Sequence, residues 1–227
     1  MNPVKPSMKT EAIPLLVIAL TLFFSIYFYS IWPDVIASHW NFKGEVDGYS
    51  NKGFITILFP LTTLLMYLLF LALPIIDPKN RNYESFSGFY HLFKALIMTV
   101  LFVLFVAIGA YNLGYNLNIT LIATVSTGLL MIFIGLFLKN VKPNWFVGIK
   151  NPWTLSSDAV WKKTHIMGGY FFIIFGIIII ACNFLPELLS MILFILGILL
   201  IIIGTTVYSY VIYSNEKKPK AKKKRKN

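Results

Sequence analysis

The chain has 227 residues, of which 57% are hydrophobic and 16% aromatic, and only 13% are charged. That balance excludes a soluble domain, which carries more charge and seldom holds several long apolar runs. The formal net charge of +11 would suggest nucleic acid in a soluble protein. Here eight of the 20 Lys and Arg residues fall in the polar stretch 217–226, which reads as a basic anchor at anionic lipid. No direct nucleic-acid partner is expected.

Six apolar runs follow in chain order, near 13–32, 54–76, 92–112, 119–138, 167–184 and 188–213. Each is close to the roughly 20 residues that a helix needs to span about 30 Å of hydrocarbon. The expected fold is therefore all-α: a polytopic membrane protein with six transmembrane helices, forming a single membrane domain over 1–213. A disordered basic tail is expected over 214–227. If the odd-numbered loops face outward, only Lys43 and Lys52 of the 20 basic residues lie outside and 18 lie inside. The positive-inside rule then places both the N and C termini in the cytoplasm, in a multi-pass protein of the cell membrane.

The first run follows Lys5 and Lys9, as in a signal peptide, but it lacks an A-x-A site and reads as an uncleaved span. In the second, Pro60 removes one helix hydrogen bond and predicts a kink. At the inner end of the third, Lys94 is placed to snorkel its ammonium to the headgroups. No Asp, Glu, Arg or His falls near a span centre, which argues against a pump or an ion-coupled transporter. A pore built from Thr and backbone groups survives that argument. Glycines seven residues apart, Gly128 and Gly135, Gly169 and Gly176, Gly197 and Gly204, share a helix face and predict close helix packing. The single Cys182 excludes an intramolecular disulfide and reads as a small apolar filler.

Two loops are richer in Trp, Gly, Asn and His than a connector needs. The outer loop, 33–52, carries Pro33, then His39, Trp40, Asn41, Gly44, Asp47 and Gly48. Gly44 and Gly48 permit turns with positive φ, and Trp40 and Tyr49 suit the headgroup level. His39 and Asp47 can form a hydrogen-bonded pair. With Asp34 and Glu45 they can also be drawn as a metal site, but no His-x-x-x-His or Cys cluster supports one, so no metal and no cofactor is expected. The loop is slightly acidic and favours a basic ligand.

The inner loop, 144–165, carries Gly148, Ile149, Lys150, Pro152, Trp153, Thr154, Leu155, Asp158, Trp161 and His165. Pro152 disfavours helix at Asn151. Ser156 or Ser157 can cap the next helix, with Asp158 in its first turn. Asp158, Trp161 and His165 then share a face at the membrane surface, either as an interfacial anchor with Trp153 or as a docking platform. His39 and His165 lie on opposite sides of the bilayer, and neither a zincin helix nor a serine-nucleophile turn occurs, so no enzyme is expected.

With these two motifs the chain resembles the SdpI family of bacterial and archaeal membrane immunity proteins. The span count and loop spacing agree over most of 10–213. The outer motif is shared more broadly among membrane proteins, and Lys150 stands where family members often carry Arg. The resemblance implies protection against a secreted peptide toxin, with relay of toxin binding to a cytoplasmic regulatory protein. On that reading His39, Trp40, Asn41, Gly44 and Asp47 contact the extracellular ligand. Gly148, Lys150, Pro152, Trp153, Asp158, Trp161 and His165 dock the cytoplasmic partner. Membrane lipids are the other expected partners, and a small-molecule transporter or channel is the alternative function.

Overall fold

In the computed structural model, which describes residues 2–217, six helices are long and apolar enough to cross a membrane. Their order is that of the six apolar runs. Helix α1 spans Met8–Ile31 and leads into a two-stranded hairpin, β1 Val35–Trp40 and β2 Val46–Asn51. Then come α2 Lys52–Ile76, a 3-10 stretch Asn80–Phe86, α3 Ser87–Asn112 and α4 Ile119–Leu138. The short α5 Pro152–Ser156 precedes α6 Asp158–Ala181, and the last span is α7 Glu187–Leu199, a π-helical stretch Leu200–Gly204 and α8 Thr205–Lys217.

Several spans begin earlier than their apolar runs because polar residues start them. Ser157 accepts from the Val160 N–H and begins α6 nine residues before its apolar run; Asn51 accepts from the Gly53 N–H at the head of α2. Helix α2 remains one element through Pro60 and Pro74. Helix α8 runs past residue 213 to Lys217, and the rest of the expected tail, 218–227, lies outside the described residues.

The helices are inside-out relative to a soluble bundle. Leu16, Phe23, Ile57, Leu65 and Ile177 are exposed on outer faces, whereas Thr21, Thr56 and Thr63 are buried with their hydroxyls returned to their own backbone carbonyls. That is the arrangement a lipid solvent selects, since every polar group must find a partner within the protein.

Helices α1, α2 and α3 pack together, α4 leans on α3, and α4 pairs most extensively with α6, which α7 and α8 flank. The α4–α6 seam is made by glycine. A Cβ on Gly176 would lie 2.5 Å from the Gly128 carbonyl oxygen, one on Gly128 would lie 2.7 Å from that of Gly176, and one on Gly169 would lie 2.6 Å from that of Gly135. Gly197 and Gly204 act differently: they receive the rings of Phe175 and Phe171. Two aromatic clusters close the ends of the bundle. Phe28, Trp32, Ile36, Ile55 and Phe105 lie under the hairpin, and Val4, Phe70, Tyr83, Phe86, Tyr90, Phe137, Val141 and Trp161 pack at the opposite end.

Lys94 does not snorkel. It is 1% exposed, and its Nζ lies 2.6 Å from both carboxylate oxygens of Glu11 on α1. The expectation failed because a buried carboxylate supplies what headgroup water would otherwise provide. His91 Nδ1 lies 3.5 Å from the same carboxylate, His91 Nε2 donates to the Val4 carbonyl at 2.7 Å, and the Tyr67 ring centroid is 5.5 Å from Lys94 Nζ.

Candidate functional site

The outer motif folds as the β1–β2 hairpin, an element that its short runs did not announce. Its turn is built on Asn41, whose Oδ1 accepts from the N–H groups of Lys43 and Glu45 at 2.9 and 3.0 Å. The Gly44 N–H donates to the Asn41 carbonyl at 3.0 Å, and Gly44 adopts φ 83°, which explains glycine there. Gly48 needs no positive φ. It faces His39 across the strands, and a Cβ on it would sit 2.8 Å from the His39 Cβ. His39 Nδ1 meets Asp47 Oδ1 at 2.5 Å, so the expected pair forms on the exposed side of the hairpin.

The hairpin is fixed to the bundle. Asn112, at the end of α3, accepts from the Ala37 N–H at 2.8 Å and donates to the Ala37 carbonyl at 3.0 Å, as a third strand would. Lys52 bridges to Asp34 at 3.1 Å, and Lys43 reaches Glu187 of α7 at 3.5 Å. The Trp40 ring packs edge-on against Tyr111, 5.1 Å between centroids. Beneath the hairpin lies a cavity of about 620 Å³, floored by Phe59, Leu104, Ile108, Ile119 and Ala123 and edged by Ser38, His39, Trp40, Asn41 and Asp47. A second cavity of about 370 Å³ adjoins it, sharing Phe42, Thr120 and Thr124, and reaches Cys182 and Glu187. The hairpin thus brings together four of the five outer residues at one cavity, with Gly44 at the other.

At the opposite end, the inner motif is held from within. His165 Nδ1 donates to the Trp161 carbonyl at 2.8 Å, leaving Nε2 to accept from the Ile149 N–H at 3.0 Å. Trp161 stacks on that imidazole, 4.1 Å between centroids, and its Nε1 donates to the Val141 carbonyl at 2.8 Å. Gly148 passes over the imidazole with φ 119°, where any Cβ would collide with Nε2. Both side chains are 1% exposed, so Trp161 and His165 offer no surface to another molecule. They hold the 141–149 segment, while Asp158 on the same helix is exposed.

Lys150 also acts on the loop, donating to the Trp145 and Phe146 carbonyls at 3.2 and 2.8 Å. Pro152 opens α5, and Asn151 caps it from the N–H groups of Trp153 and Thr154 and reaches Ser209 of α8 at 2.8 Å. Trp153 packs edge-on against Tyr210. The surface that this frame presents is Trp145, 49% exposed, with Phe146 beside it. Asp77 and Asn144, which the motif reading passed over, organise it. Asp77 Oδ2 accepts from the Trp145 N–H at 2.9 Å and the Tyr83 hydroxyl at 3.1 Å. Asn144 Oδ1 accepts from Phe146 and Val147 at 2.9 and 2.6 Å. The signal was the Asn144 and Gly148 spacing, a polar cap followed by a tight turn.

Fold and loops together define a six-span polytopic membrane protein with a strand-built cap at one end and a tied-down connector at the other. Residues 140–209 match the SdpI/YfhL protein family, and residues 16–64, which hold the hairpin, match a domain of unknown function. The chain is 25% identical over 206 residues to Immunity protein SdpI of Bacillus subtilis (strain 168), covering 91% of this chain and 97% of that protein. The SdpI family inferred from the two loop motifs is the family these comparisons return. No solved structure matches the chain.

Proposed function

We propose that this protein is an immunity protein of the cell membrane, protecting its host against a secreted peptide toxin bound at the hairpin. The carrying observation is the likeness to Immunity protein SdpI over 91% of the chain and 97% of that protein. The termini face the cytoplasm on this reading, in keeping with the 18-to-2 division of basic residues. The exposed Trp145–Phe146 surface, with Lys150 and Trp153 framing it, receives a cytoplasmic regulatory protein.

Sidedness is tested in a Cys182→Ala background. Ser50→Cys on β2 reacts with an impermeant thiol reagent in intact cells, and Ser157→Cys reacts only after permeabilisation; the reverse pattern removes the hairpin from the toxin's compartment. For function, cells with and without the protein are challenged with medium containing secreted peptide toxin. Asp47→Ala and Trp40→Ala at matched expression lower survival several-fold, whereas Trp145→Ala leaves survival intact and weakens recruitment of the cytoplasmic partner. Equal loss of both readouts in every variant points instead to a single transport path.

A further inference from the structure

The hairpin does more than present a surface, because it roofs a cavity with an apolar floor and a polar edge. The floor residues Phe59, Leu104, Ile108 and Ala123 come from α2, α3 and α4, so the space is set by three spans. At about 620 Å³ it is the size of a small-ligand site and can take two or three large side chains. Trp40 lines it, and its indole N–H is enclosed with no acceptor among the described residues. A buried donor without a partner is unfavourable, and a carbonyl brought to it would relieve that cost.

One carboxylate, Asp47, stands on that edge. The hairpin end around it is acidic: Asp34, Glu45, Asp47 and Glu187 stand against Lys43 and Lys52, four carboxylates to two ammonium groups. Both lysines are already paired, with Glu187 and Asp34. Glu45 and Asp47 have no lysine partner; Asn41 and His39 hold them. A phospholipid brings a phosphate to such an edge and is disfavoured there, whereas a cationic group is drawn in.

Resting on the toxin-binding reading, we propose that the cavity under the hairpin takes the apolar side chains of a cationic amphipathic peptide. The peptide's basic residues lie against Glu45 and Asp47, and one of its backbone carbonyls accepts from the Trp40 indole. The occupant is thus a peptide segment with hydrophobic and basic residues on neighbouring positions.

The test uses the full chain in phosphatidylcholine nanodiscs and two synthetic 12-residue probes, one of Leu and Lys and one of Leu and Glu, with empty nanodiscs as the partition control. The Leu/Lys peptide binds the protein-containing discs at least tenfold more tightly than empty ones, and the Leu/Glu peptide shows no preference. Ala123→Trp, which fills the cavity, removes that tenfold preference; Ala123→Leu, the milder filling, reduces it and covers the case in which the Trp variant misfolds. The double substitution Glu45→Gln with Asp47→Asn weakens binding and flattens its salt dependence, and Trp40→Phe weakens binding without changing that dependence. Unchanged binding by both Ala123 variants, or equal preference for the two peptides, overturns the proposal. Toxin survival separates this from the parent reading. Full protection by a cavity-filled variant that no longer binds peptide leaves immunity standing without the cavity. Cavity-dependent peptide binding in a protein that gives no protection leaves the cavity standing without immunity.

Discussion

Gly135→Leu and Gly176→Leu are each expected to abolish the folded state in detergent or to lower its stability by several kcal/mol. The reason is the backbone contact between α4 and α6. Gly128 and Gly176 reach each other's carbonyls, as do Gly135 and Gly169, so an added Cβ meets main chain on the facing helix. A side chain can rotate away from a new methyl group, but a helix carbonyl cannot move without its helix. Overpacking in a tight core typically costs about 1–3 kcal/mol, and separating two helices along their length exceeds that range. Even Gly→Ala at these positions is expected to destabilise, whereas Gly197→Ala displaces only the Phe175 ring and is milder. Gly88 in α3 has nothing near its missing Cβ and serves as the control; Gly88→Ala is at worst neutral, given alanine's helix propensity. Thermal unfolding of the purified variants checks the ranking. Indifference to alanine at all four seam positions would remove the seam from the account of the fold.

Lys94→Met alone and Glu11→Gln alone should each cost about 3–5 kcal/mol, the range for removing one partner of a buried ion pair. Lys94 Nζ has both Glu11 oxygens at 2.6 Å, and neither side chain reaches water freely. The first substitution strands a carboxylate beside His91, and the second strands an ammonium in an aromatic and aliphatic setting. Replacing both, Glu11→Leu with Lys94→Met, is expected to recover most of the loss, because the desolvation of both charges disappears with them. A double-mutant cycle in detergent reads this directly. Single losses that simply add in the double variant would mean that the two groups act independently. The pair also ties the amino-terminal segment to the bundle, since His91, beside Glu11, holds the Val4 carbonyl and Val4 belongs to the buried aromatic cluster at this end. Limited proteolysis near residues 2–7 is therefore expected to accelerate in either single variant.

What the sequence by itself determined is what depends on composition and short spacing. Six runs of apolar residues define six spanning helices, because a hydrocarbon solvent leaves a chain little else to do. Glycines two turns apart marked three spans for close packing, which α4 and α6 make backbone to backbone and the last span makes against Phe rings. Of the two expected caps, Ser156 or Ser157, it is Ser157 that starts α6, which is local chemistry. His39 and Asp47, eight residues apart, form the pair that was anticipated.

Tertiary structure decided everything that required two distant segments to meet. Lys94 looked like a snorkelling end residue because its partner, Glu11, lies 83 positions away on another helix. The hairpin stayed hidden because its strands are only six residues each, and part of its stabilisation comes from Asn112 on α3 rather than from their own pattern. Trp161 and His165 looked like a surface stripe by helical spacing. Only the fold of 141–149 over them shows that they are an internal support, with the exposed aromatic surface displaced to Trp145 and Phe146. A helical period gives the angle of a side chain about its own axis; what covers that face is set by a chain segment that the period does not contain.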